Sequence, residues 1–375
     1  MLKNTVIVLS VIIALFAVSY AQSIVDINNT PISQDYFTAL FNYFITEADV
    51  QTRAEIGLDN GERHFARRML LDIIINTFLI ADQRQETGYN DDAQWTPIFK
   101  MVKKDTISRF YILHHFNGIV NVTTNEIEVY YSNNREAFTS VYNPSELWKS
   151  VSNMVFLEKV QAETSNWVAH LKSTYDVEVH DVSTSGIINN KTVIRVGDKT
   201  ITYKEFERLL KYYDENKMFS ILGESDIRFK GFNSSDPSSR ILFRDELLKT
   251  LVLYHAALES GYTDDSDTMT VINFFISNEC NQIYLNHMFK QDLNITADDY
   301  ANFVHTYEKY STDLQTMMRD GLDDEEKAQL SPYVAEEKYK LLLNNHIADL
   351  RLRNCIIIHN DVIESLSDNA DAKDM

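Results

Sequence analysis

Glycine and proline are scarce, 10 and 5 in 375 residues. With so few residues that interrupt helices, long helices are expected. Basic residues are also short: 35 Lys and Arg stand against 55 Asp and Glu, a formal charge of −20. Phosphate contacts need clustered cations, so nucleic acid is excluded as a ligand, and the charge favours solubility instead. No HExxH, GxSxG, CxxC or phosphate-cradling glycine loop occurs anywhere in the chain. Catalysis therefore has no sequence support, and no metal or cofactor is expected. Cysteine is limited to Cys280 and Cys355. A disulfide between them would close a loop of some 75 residues and stabilise by roughly 4 kcal/mol through loop entropy. Two separate buried thiols are the other reading, and the sequence leaves both open.

Long apolar runs are missing after the first residues. Lys3, the apolar stretch Val6 to Val18 and Ser19-Tyr20-Ala21 read as a positive n-region, an h-region and a small-x-small site, with cleavage expected after Ala21. The stretch is short for a membrane span of about 20 residues. The expected location is the periplasm, with an uncleaved signal anchored to the inner membrane as the alternative.

What the chain does have is a repeat. Residues 88 to 127 lie over 261 to 300 at an offset of 173 without a gap, and nine of the forty positions are identical. They are Gly88/Gly261, Tyr89/Tyr262, Asp91/Asp264, Asp92/Asp265, Tyr111/Tyr284, His114/His287, Phe116/Phe289, Asn121/Asn294 and Thr123/Thr296. Composition alone would give about two or three matches. Upstream, 24 to 37 lies over 193 to 206; downstream, 167 to 181 lies over 346 to 360. Two copies of one unit, residues 22–185 and 190–364, thus follow the signal (1–21), and an acidic tail (365–375) expected to be disordered ends the chain.

Each copy opens on a short β-prone run, Ile24 to Ile27 or Val193 to Val196, then a turn, then aligned N-cap candidates Ser33 and Thr202; Thr202 to Glu205 forms a capping box. Helices are expected over about 66–87 and 241–260, each stopped by glycine (Gly88, Gly261), then over 92–116 and 265–289, and over 124–137 and 297–317. A longer glycine-bearing loop, Gly223 to Pro237, marks the second copy. Each copy closes with a long helix and a β-prone run, Val177 to Val179 or Ile356 to Ile358. Pairing the first and last strand of each copy is the economical way to satisfy their amides. The expected fold is mainly α with small β elements, two tandem helical units each closed by short terminal strands. Because those strands are near-equivalent, exchange between units and homodimers by domain exchange come into view.

The single residues that attract notice have plain explanations. His114 and His287 sit near helix C-termini, where the dipole favours them, with no second convergent ligand. His114 and His115 point to different helix faces and chelate poorly. Asp91-Asp92 and Asp264-Asp265 read as first-turn caps. The Asn-x-Thr sequences at 121 and 294 carry no inference about glycosylation.

The succession INNTPISQDYF, LLDIIINTFLIADQRQETGY, VTTNEIEVYYSNNREAF and KVQAETSNWVAHLKSTYDVEV resembles the SurA/PrsA-type periplasmic and extracytoplasmic foldases. VGDKTITYKEF, RDELLKTLVLYHAALESGY, ITADDYANFVHTYEKY and LLLNNHIADLRLRNCIII repeat it. The resemblance covers nearly all of the chain after the signal. That family commonly inserts a parvulin prolyl-isomerase domain after the segment matching YYSNNREAF; here some 20 residues separate Phe138 from Glu158, which leaves no room for it. The resemblance therefore implies two tandem SurA-like chaperone units without isomerase activity, which hold unfolded envelope or outer-membrane proteins without ATP. A scaffold binding one folded partner is the alternative. Client grooves suit adaptable aromatic and Met side chains, and the candidates are Phe110, Tyr111 and Phe116 in the first copy and Tyr284, Met288 and Phe289 in the second.

Overall fold

The computed structural model describes residues 22–46, 63–138, 144–183, 191–216, 232–307 and 322–369. The signal region, most of the Gly223 to Pro237 loop and the end of the acidic tail lie outside them. The described chain is mainly helical, with two small antiparallel sheets of three strands each.

Chain order shows the repeat directly. The first pass gives β1 (Ser23–Ile27), β2 (Thr30–Ser33), α1 (Gln34–Thr46), α2 (Arg63–Glu86), α3 (Thr96–Phe116), α4 (Thr124–Asn133), α5 (Pro144–Thr174) and β3 (Val177–Val179). The second gives β4 (Thr192–Val196), β5 (Lys199–Thr202), α6 (Tyr203–Asn216), α7 (Pro237–Glu259), α8 (Ser266–Phe289), α9 (Ala297–Tyr307), α10 (Asp324–Arg353) and β6 (Ile356–Ile358), and α11 (Asn360–Asn369) follows. Residues 365–369 of the expected disordered tail are thus helical.

The glycine stops are seen in the backbone. Gly88 and Gly261 follow the ends of α2 and α7 with φ of 71° and 70°, the left-handed conformation that closes a helix and that a side chain resists. The Asn-x-Thr identities also find their reason. Thr123 and Glu126 form a capping box at the start of α4, and Thr296 with Asp299 makes the same reciprocal bonds at α9. In each case a lysine of the following long helix closes the loop. Lys159 Nζ donates to Asn121 O at 2.6 Å and to Glu126 at 2.8 Å; Lys338 Nζ donates to Asn294 O and to Asp299, both at 2.7 Å. The lysine's hydrogen bond is the largest cause holding the Glu126 and Asp299 carboxyls down at about 2.

The strand partners differ from expectation. β1 pairs with β6 (Val25 with Ile358, Asp26 with Ile357, Ile27 with Ile356), and β3 pairs with β4 (Val177 with Val196, Glu178 with Arg195, Val179 with Ile194). Neither copy closes on itself; the final strand of each pairs with the opening strand of the other. The physical reason is that both pairings satisfy the same amides, while β3 leads into β4 through a short connection that an antiparallel partner can follow.

The chain accordingly divides into two compact units that each draw on both repeats. Of the described residues, those within 22–34, 71–87 and 278–369 form the terminal unit and those within 35–70 and 88–277 the middle unit. In the terminal unit β1 lies between β2 and β6. Asn28 and Asn29, both at positive φ, turn β1 into β2, as a two-residue hairpin requires. Asn28 also fastens β6: its N–H donates to Cys355 O, and its side-chain oxygen accepts from the Cys355 N–H. His359 continues the pairing through its N–H to Ile24 O and its ring to Asp26, at 2.9 Å. Ile24, Val25, Ile27, Ile74, Ile75 and Ile283 supply much of this unit's core. Cys280 is buried there, which pushes its thiol up to about 11, and Cys355 is exposed. Both are free, so the disulfide reading gives way to separate thiols, of which only one is buried.

In the middle unit, α3 and α7 pack along each other where small polar residues allow close approach; Ser108 Oγ donates to Thr250 O at 3.0 Å. A buried arginine ties the sheet side to α7: Arg240 donates to Val182 O at 2.7 Å, to the Tyr203 hydroxyl at 3.1 Å and to Glu207.

Candidate functional site

Four segments of the middle unit each present one helical face to a common cleft of about 680 Å³. α1 gives Ala39, Asn42, Tyr43 and Phe44; α3 gives Phe110, Leu113 and His114, with its C-cap Asn117; α5 gives Asn153, Phe156 and Leu157. After the left-handed turn at Gly261 the chain adds Tyr262 and then Asp267, Thr268, Val271 and Phe275. The i, i+3, i+4 and i+7 spacings along α3 and α8 are those of residues sharing a helix face.

Aromatic rings make up its floor. Tyr43, Phe110 and Phe275 form a mutual cluster with centroids 5.3 to 5.7 Å apart, and Phe44 meets Phe275 at 6.1 Å. All but Phe44 are only partly buried, so ring faces remain open to a ligand. At the rim, Leu113 and Leu157 are 41% and 46% exposed. Burial, with Tyr43 and Asp265 nearby, pushes the Tyr262 phenol up to about 12, so it stays neutral.

A second cleft of about 510 Å³ adjoins the first and shares His114, Tyr262 and Thr268 with it. Its other lining residues are Tyr111, His115, Ser260, Gly261 and Asp265. Tyr262 lies 5.3 Å from Tyr111 and 4.8 Å from His114, and His115 stacks flat on Trp167 at 3.7 Å. Burial, then the neighbouring His114, lowers the His115 pKa. Asp265 caps α8 by accepting the Thr268 N–H at 2.7 Å, and the hydrogen bond from the Thr268 hydroxyl, then that from its N–H, lowers the Asp265 pKa. Asp92 makes the analogous local bond to the Gln94 N–H, but α3 starts later, at Thr96. Among the described residues no three His, Cys, Asp or Glu side chains gather to hold one metal ion.

Of the residues singled out from the sequence, Phe110 lines the larger cleft and Tyr111 the smaller. Phe116 is buried, edge-on to Trp167 at 5.5 Å. Its counterpart Phe289 in the terminal unit is buried edge-on to His346 at 5.7 Å, and Trp167 and His346 hold matching repeat positions. Tyr284 is buried and Met288 half-buried in that unit, and neither lines these clefts. The repeated Phe is thus a packing residue where a groove residue was expected. Sequence reasoning missed Tyr43, Leu113, Phe156, Leu157, Tyr262 and Phe275. Tyr262 was visible as one of the nine identities, and Leu113 and Asn117 continue the stripe that begins at Phe110.

Comparison with protein-family models, curated proteins and solved structures finds no match. The likeness to SurA-type foldases rests on sequence pattern alone.

Proposed function

We propose that this chain is an ATP-independent chaperone that holds unfolded exported polypeptides, such as envelope or outer-membrane proteins, in the middle-unit cleft, and that it lacks prolyl isomerase activity. The observation that carries the reading is the open aromatic cleft, on a chain whose charge otherwise favours solubility. Apolar concavities of a few hundred Å³ with adaptable aromatic linings bind apolar groups with little demand for register. Seating one large client side chain contributes about 2–3 kcal/mol, before the cost of ordering the segment. Affinity on that scale lets clients leave without nucleotide. Supporting the absence of an isomerase, the chain runs from Phe138 to the start of α5 at Pro144, and no domain intervenes.

The test is light scattering of a chemically unfolded outer-membrane protein diluted into buffer with residues 22–375, without nucleotide. Suppressed aggregation at near-stoichiometric ratio, weakened in Leu113→Asp/Leu157→Asp, is expected. Both leucines are exposed, so the variant retains its core. No suppression would contradict the proposal and favour a scaffold bound to one folded partner.

A further inference from the structure

We infer that the two adjoining clefts form one bipartite site, which selects extended segments carrying a large apolar side chain beside Lys or Arg and rejects those in which the neighbour is acidic. This deepens the holdase proposal and rests on it.

The argument is charge complementarity. Neither cleft is lined by a Lys or Arg, whereas Asp267 stands at the larger and Asp265 at the smaller, both exposed. Asp265 uses one oxygen to cap α8, and its exposed carboxylate remains available to a ligand cation. Beside it the partly exposed Tyr262 ring, held 5.3 Å from the buried Tyr111 ring, offers the negative face that attracts a guanidinium or ammonium. Tyr262 remains neutral and His115 is disfavoured from protonation, so neither ring changes that preference near neutral pH.

Geometry joins the two halves. The clefts share His114, Tyr262 and Thr268, so their mouths lie side by side. An extended chain advances about 3.3 Å per residue, and neighbouring side chains of one segment can therefore enter both. The chain's net charge of −20 steers basic segments toward it, and an acidic flank would meet Asp265 and Asp267 as like charges.

The test uses three fluorescent 12-residue peptides with the same Phe-Leu centre, flanked by Lys, Ser or Glu, titrated with residues 22–375 and read by anisotropy. We expect the Lys peptide to bind about tenfold tighter than the Ser peptide and the Glu peptide weakest. The Lys advantage should shrink with added salt and disappear in Asp265→Asn/Asp267→Asn, where Asn still caps the helix. Asp324→Asn/Glu325→Gln, which changes net charge equally at residues that line neither cleft, should leave the ratio unchanged. Equal affinity for Lys and Ser peptides, or equal effects of the two double variants, would overturn this inference while leaving the holdase reading intact. Binding of none of the three would overturn both. Self-association that a Lys peptide reverses would make a second copy the occupant and overturn the inference as well.

Discussion

Replacing Asp26 and Ile357 with cysteine, in a background carrying Cys280→Ala and Cys355→Ser, should create a disulfide between the first and last strands. The two residues are directly opposed in the β1–β6 ladder. They lie between flanking backbone bonds from Asn28 N to Cys355 O and from His359 N to Ile24 O, which makes theirs a hydrogen-bonded pair. Such pairs have Cα atoms about 5.5 Å apart, within the span a disulfide accepts. Both side chains face away from the buried Val25 and Ile27, so the core is untouched, although the Asp26–His359 contact is lost. Closing some 330 residues removes loop entropy worth about 5–6 kcal/mol as an upper bound. Non-reducing electrophoresis and peptide mapping after mild oxidation would detect the bond, and a melt with and without reductant its effect. The control is Asp26→Cys/Glu178→Cys, the pair that would face each other if the first repeat closed on itself. Cross-linking of that control, and not of Asp26 with Ile357, would refute the exchange of closing strands.

Gly197→Ala should destabilise the middle unit by about 1–3 kcal/mol, read by chemical unfolding, because φ is +57° and a Cβ would stand 2.8 Å from the His255 ring. Arg240→Met should cost about 2–4 kcal/mol in the same assay, since Val182 O, Tyr203 and Glu207 all lose their donor; an unchanged midpoint would show that the buried arginine ties nothing down. The Lys159 and Lys338 loops predict an acid dependence. Folding lowers the Glu126 and Asp299 pKa values to about 2 from 4.5 and 3.8, so their contribution is complete above those ordinary values and is lost as pH falls through about 2. Lys159→Met/Lys338→Met should therefore melt earlier at pH 6 but show a shallower loss of Tm between pH 5 and 2, measured by thermal scans.

Much of this fold was legible where local chemistry decides it. Val177 to Val179 and Ile356 to Ile358 are strands with the bounds read from their β-prone runs, Gly88 and Gly261 end their helices in the left-handed conformation, and the Thr202 box forms through Glu205. The choice of strand partner was not legible. β3 and β6 occupy equivalent repeat positions and offer the same backbone groups, so nothing in either triplet distinguishes β1 from β4. The site was half legible for a related reason. α3 buries residues on several faces, from Ile98 and Met101 to Ile107 and Ile112, so periodicity marks its apolar positions without saying which meet the core. Phe110 fell in the cleft and Phe116 in the core, six residues apart on one helix. Asn121 and Thr123 were noticed as a repeat, yet their role depends on Lys159, which is distant in sequence and was not among the identities.

The central claim is that unfolded chains occupy the middle-unit cleft, and site-specific photo-crosslinking tests it most directly. A photoreactive residue at Leu113 or Leu157, both exposed at the rim, should capture an unfolded outer-membrane protein, with capture competed by the Lys-flanked peptide. The same residue at Val129, 52% exposed and outside both clefts, should not. Equal capture from Val129, or none from the rim positions while aggregation is still suppressed, would contradict the assignment of the cleft.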